Sequence, residues 1–191
     1  MYHKAIFLDR DGTINKEVNY LTDKKDIEII DGAKEALVNF KKLGYLNIII
    51  TNQSAIARGL LTEEQLMEIH REFLRQLSTD DFLLIDDFFY SPFHIKGVIE
   101  KYKVESNFRK PDIGMILTAV EKYEIDIKQS FLIGDSYVDM KCAENAHLRK
   151  ILVMTGYGES ELIKCKKEDI FIDYLANDLL DASEYVAKLN N

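Results

Sequence analysis

Cysteine and proline are scarce in this 191-residue chain, at two each, tryptophan is absent and glycine is held to nine. Cys142 and Cys165 cannot build a disulfide framework, and no Cys-x-x-Cys or Cys/His finger spacing occurs, so a reducing compartment is expected. So little proline and glycine excludes collagen-like and low-complexity chains. No apolar run approaches the ~20 residues of a membrane span. The opening run Ala5–Leu8 stops at an acidic residue, far short of a signal-peptide core. A cytoplasmic protein without membrane partners is therefore expected. Positive charge is also short: 25 Lys plus Arg face 33 Asp plus Glu, leaving −8. That balance argues against nucleic acid as a partner through broad electrostatics, so any anionic ligand must be captured locally. The strongest basic cluster, Lys164, Lys166 and Lys167, reads as a solvated helix face.

What is present is 47% hydrophobic and 30% charged, enough for one compact domain spanning residues 1–191. Short apolar runs alternate with amphipathic stretches, the mark of βαβ units. The strands expected are Ala5–Leu8, Tyr45–Ile50, Ile85–Tyr90, Phe131–Ile133, Ile151–Met154 and Ile170–Leu175. Asp31 is placed to cap a helix carrying Ala33, Ala36, Leu37, Phe40 and Leu43, with Gly44 ending it. Thr62-Glu63-Glu64-Gln65 spells a capping box before Leu66, Ile69, Phe73, Leu74 and Leu77. Pro111 fits the first turn of a helix that runs on through Ile113, Ile116, Leu117 and Val120. Further helices are expected over Tyr137–Ala146 and Asn177–Leu189. The fold expected is a three-layer, Rossmann-like α/β domain with a parallel sheet, helices on both faces and no large cap.

In such sheets ligands bind beyond the carboxyl ends of the strands. The polar residues there form a set: Asp9-Arg10-Asp11-Gly12-Thr13, then Thr51-Asn52-Gln53-Ser54, then Arg109-Lys110-Pro111, then Gly134-Asp135 with Asp139 following. Paired carboxylates, a hydroxyl, a lysine and further aspartates suit metal-assisted phosphoryl transfer. A phosphorylation-controlled receiver domain uses similar residue types in a different order.

FLDRDGT, TNQS, RKP and GDxxxD, in that order, resemble the four motifs of the haloacid dehalogenase (HAD) phosphatases. FLDRDGTIN, TNQSAIARG, RKPDIGM and GDSYVDM are similar to the D-glycero-D-manno-heptose 1,7-bisphosphate phosphatases, with histidinol-phosphate phosphatases as near relatives. The resemblance implies a small phosphorylated metabolite as substrate and Mg²⁺ as cofactor; a monomer is expected. It makes Asp9 the nucleophile that forms an aspartyl-phosphate. Asp11 becomes the general acid and base, which calls for a proton affinity nearer neutrality than an exposed aspartate's. Thr51 and Lys110 hold the transferring phosphoryl, Lys110 at a helix N-terminus. Asp9, the Asp11 backbone carbonyl and Asp135 hold the metal, supported by Asp139. Glu17, Tyr20, Asn52, Gln53, Ser54, Arg58, Arg109 and Ser136 are carried over as substrate contacts. Three carboxylates against Arg109 and Lys110 would repel a phosphate dianion, and Mg²⁺ reverses that sign.

The chain departs from the family at Ala55, where relatives commonly have glycine, and in one loop. Where relatives carry a structural zinc on Cys-x-His and Cys-x-Cys, this chain reads Ser91-Pro92-Phe93 and Ser106-Asn107-Phe108. No structural zinc is expected, His94 is left without thiolate companions, and Phe93 and Phe108 are expected to pack together instead.

Overall fold

In the computed structural model, which describes residues 2–78 and 83–190, the strands pair in parallel in the order β3-β2-β1-β4-β5-β6. They are β1 (Lys4–Leu8), β2 (Tyr45–Asn52), β3 (Asp87–Ser91), β4 (Phe131–Gly134), β5 (Arg149–Val153) and β6 (Tyr174–Ala176). The intervening helices are α1 (Ala33–Lys42), α2 (Glu63–Leu77), α3 (Gly114–Tyr123), α4 (Tyr137–Asn145), α5 (Gly158–Lys167) and α6 (Leu179–Leu189). Because side chains alternate across a strand, Ile6 and Leu8 of β1 face one core with residues of α1, α2 and α6. Ala5 and Phe7 face a second core with residues of α3 and α4. Ile49, Phe131, Ile133, Ile151 and Val153 follow the first side, and Ile48, Ile50, Leu132 and Leu152 the second. Both faces of the sheet are thus covered, as parallel pairing requires.

Strands β1, β2 and β3 run outward on one side and β4, β5 and β6 on the other. The switch point lies between β1 and β4, where Leu8 faces Ile133, while Leu8 also faces Ile49 of β2. Asp9, Thr51 and Asp135 therefore sit at neighbouring strand ends, where a crevice opens.

Local chemistry sets several boundaries differently from the hydrophobic pattern. Gly32, with φ +79°, precedes α1, and Asp31 provides no cap. Gly44 does end that helix, at φ +82°. β3 begins only at Asp87, because Asn47 donates its side-chain amide to Leu84 O at 2.8 Å and Asp86 accepts from Asn47 N at 2.7 Å. Side chains there replace the ladder that an earlier start would need. The last strand shortens to Tyr174–Ala176, and Ile170 instead packs into the second core. The capping box of α2 forms as the sequence spells it. Lys110 is not at a helix N-terminus: residues 109–112 form a turn closed by Asp112 N on Arg109 O, and α3 starts at Gly114.

Candidate active site

The Lys110 side chain, only 3% exposed, projects between the ends of β1, β2 and β4. Its ammonium lies 2.9 Å from Asp9 Oδ1, 2.6 Å from Asp139 Oδ1 and 2.8 Å from Ile50 O. Burial alone would lower its pKa, but Asp139 and Asp9 overcome that and hold it raised, so the charge persists. Two hydrogen bonds orient its backbone. Lys110 N donates to Asn52 Oδ1 at 3.1 Å and Asn52 Nδ2 donates to Lys110 O at 3.0 Å.

Carboxylate oxygens of Asp9, Asp135 and Asp139 lie within 4.8 Å of one another. Burial first, and Asp139 second, push Asp9 up to about 7 despite relief from Lys110. Burial, then Asp9 and Asp139, push Asp135 up to about 8. Asp139 is committed on both oxygens, one to Lys110 and the other to Ser136, whose N and Oγ donate at 3.2 and 2.5 Å. Ser136 in turn caps α4, whose capping box Asp139 completes. Asp135 is aimed by the Tyr157 amide, which donates to its Oδ2 at 2.8 Å. Gly12 (φ +76°) and Gly156 (φ +57°) make room for it. A Cβ at either would come within 2.1 or 2.0 Å of Asp135 Oδ2. Thr155 Oγ1 ties the two loops by donating to Gly12 O at 2.6 Å.

The Asp11 carboxylate is held apart from this cluster. Arg10, fully buried, donates Nε and Nη2 to its two oxygens at 3.1 and 2.7 Å. Asn15 and Gln53 add donors at 2.9 and 3.1 Å. Burial works to raise the Asp11 pKa, but the Arg10 guanidinium and these bonds win and lower it. This corrects the expectation of a proton affinity near neutrality: the adjacent arginine keeps the resting carboxylate ionised.

Asp9, Asp11, Glu17, Asn19, Thr51, Asn52, Lys110, Asp135, Ser136, Asp139 and Tyr157 all line one cleft of ≈ 210 Å³. Other expected contacts are placed differently. Gln53, 5% exposed, donates to Thr51 Oγ1 at 2.9 Å as well as to Asp11, so it braces two site residues instead of facing the cleft. Tyr20 packs on the first core with the Arg58 guanidinium 5.8 Å from its ring centre. Ser54 accepts from Arg58 N through its carbonyl at 3.1 Å and does not line the cleft. Arg109 donates Nη1 to Phe93 O at 3.1 Å and lines a second groove of ≈ 640 Å³ with His94, Lys96 and Lys110. Phe93 and Phe108 do not pair as expected. Phe93 sits 6.2 Å from the Tyr102 ring, while Phe108 packs into the second core, with α3 and α4. Arg10, Asn15, Thr155, Gly156 and Tyr157 were not anticipated. Of these, Arg10 and Asn15 lie inside the first motif, FLDRDGTIN.

A family model described as HAD-hydrolase-like matches residues 107–182, the segment that carries Lys110, Asp135 and Asp139. Fold, cleft and match define the class: this is a HAD-type phosphatase. The D-glycero-beta-D-manno-heptose-1,7-bisphosphate 7-phosphatase of Photorhabdus laumondii is 42% identical over 153 residues, covering 80% of this chain and 81% of its own. The enzyme of that name from Haemophilus influenzae is 37% identical over 191 residues, with 98% of each chain covered. The crystal structure of D,D-heptose 1,7-bisphosphate phosphatase from B. bronchiseptica, complexed with magnesium and phosphate, aligns with a TM-score of 0.83 at 26% identity, covering 97% of this chain and 99% of the other. The chain belongs to the heptose 1,7-bisphosphate phosphatase family.

Proposed function

We propose that the protein removes the 7-phosphate of D-glycero-D-manno-heptose 1,7-bisphosphate, as a single cytoplasmic, monomeric catalytic domain that uses Mg²⁺ and needs no structural zinc. The observation that carries a bisphosphate substrate is the pair Arg58 and Arg109. Burial first, then Arg109 and Arg58, lower the His94 pKa, and burial followed by Arg58 lowers that of Arg109. Arg58 Nε is buried without a hydrogen-bond partner among the described residues, and the side-chain bond of Arg109 goes to the neutral Phe93 carbonyl. Arg109, in the groove beside Lys110, is matched by a second anionic group on the substrate.

Asp9 attacks the phosphorus, a P–O bond to the sugar breaks, and Asp11 supplies the proton to the leaving oxygen. Asp11 rests ionised, so it takes up a proton from solvent before it can protonate the leaving oxygen. Water then attacks the aspartyl-phosphate, with Asp11 accepting its proton, and inorganic phosphate is released. Lys110 and the Thr51 hydroxyl face the charge that builds on the transferring oxygens. The donor set suits a hard cation: Asp9 and Asp135 are oxygen ligands crowded enough to be protonated near neutrality without one, and they would hold Mg²⁺ with the Asp11 carbonyl. When bound, the metal supplies positive charge that lets a phosphate dianion approach these carboxylates.

Phosphorus NMR of the product tests the assignment. The heptose 1-phosphate is expected; accumulation of the 7-phosphate would reverse the orientation of the substrate.

A further inference from the structure

The loop between β3 and α3 carries a polar cluster that the phosphatase chemistry does not use. Glu63, the first residue of α2, accepts from Tyr90 Oη at 2.7 Å through Oε2, and from the Tyr102 hydroxyl through Oε1. Lys101 Nζ approaches the same Oε1 at 3.3 Å and donates to Tyr102 Oη at 3.0 Å. Lys101 is 73% exposed, so its ion pair contributes little. The two phenols, each donating to a carboxylate, make the stronger, charge-assisted bonds. A carboxylate in the first turn of a helix is further favoured by the helix dipole.

From Tyr102 the connections run toward both arginines. Its ring packs on Phe93 at 6.2 Å, and its carbonyl accepts from His94 N at 3.0 Å. The Phe93 carbonyl accepts from Arg109 Nη1 at 3.1 Å. On the other side, Val98 N and Ile99 N donate to Ala57 O at 2.7 and 3.0 Å, next to Arg58.

We infer that Glu63, through Tyr90 and Tyr102, is a positioning residue that fastens this loop so that Arg109 faces the second phosphate of the substrate. The inference rests on the bisphosphate reading above. Glu63 touches no reacting atom, so its loss weakens recognition of the second phosphate and leaves the chemistry intact.

The test is steady-state kinetics of Glu63→Gln and Tyr102→Phe with heptose 1,7-bisphosphate and with p-nitrophenyl phosphate, beside Arg109→Ala. Either variant at the lock raises KM for the bisphosphate by roughly five- to tenfold with kcat kept, and leaves both constants for the monophosphate unchanged. Trypsin cleavage at Lys96, Lys101 and Lys103 is faster in both. Equal losses on the two substrates would reduce the cluster to a structural brace and overturn the proposal. So would unaltered KM values in the two lock variants when Arg109→Ala discriminates. If Arg109→Ala itself treats both substrates alike, the bisphosphate reading fails and the positioning role falls with it.

Discussion

Single side chains in the cleft are set by competition between burial and charge pairing. Lys110 is buried yet charged because Asp9, Asp139 and the Ile50 carbonyl surround its ammonium, and Asn52 fixes its backbone. Asn52→Ala should therefore lower kcat by about ten- to a hundredfold with a smaller change in KM, measured with any phosphomonoester. Asp9→Asn should reduce phosphate release by roughly ten-thousandfold or more without changing the far-UV circular dichroism. Asp9 at about 7 and Asp135 at about 8 are acids whose folded pKa is raised. The metal-free folded state then holds more protons than the unfolded one, so stability falls as pH rises. His70, pushed down to about 3 by burial, acts in the opposite direction only below its unfolded pKa near 6.5. Between pH 6.5 and 8.5 the aspartates dominate, and the metal-free protein should lose roughly 1–3 kcal/mol. Melting curves should show this loss, and Asp135→Asn or added Mg²⁺ should flatten it. Asp9, Thr51 and Asp135 were legible because each directly follows or ends an apolar strand. The Arg10 clamp was not, since a residue between two aspartates gives no sign that its guanidinium folds back onto one of them.

Secondary-structure elements were legible wherever periodicity or a cap carried the signal, as in α2, whose Thr62–Gln65 box forms as spelled. They were misread where side chains took over backbone bonding. Asn47 and Asp86 delay β3, and the turn at residues 109–112 delays α3. The same turn explains why Lys110 owes its place to Asn52 and three oxygens instead of to a helix terminus. The loop after β5 was invisible as a site element: it acts through the Tyr157 amide and through Gly156, whose missing side chain leaves room for Asp135 and Gly12. Gly156→Ala should cost about 1–3 kcal/mol from its positive φ and the forced contact. It should also weaken Mg²⁺ binding, since Asp135 must move. Calorimetry with Mg²⁺ alone separates that effect from catalysis, and unaltered affinity would show that the contact relaxes elsewhere.

For the whole molecule, topology brings residues as distant as Asp9 and Asp135 into one cleft, because β1 and β4 are neighbours across the switch point. Alternating apolar and amphipathic stretches made that architecture legible, whereas strand order entered only through the motifs. Overall the chain is acidic, at −8, yet Arg109 and Lys96 stand with Lys110 in the groove beside the cleft, interspersed with Glu105 and Asp112. Positive charge there is broken by carboxylates, which fits a small bisphosphate better than a long polyanion, for which a continuous basic track would be needed. The most direct test is kcat/KM, with Mg²⁺ present, over heptose 1,7-bisphosphate, histidinol phosphate, other sugar phosphates and a 3′-phosphorylated oligonucleotide. Heptose 1,7-bisphosphate should exceed every other substrate by about a hundredfold or more, the discrimination charge-assisted contacts to a second phosphate can supply. A preference for histidinol phosphate or for the oligonucleotide would contradict the account.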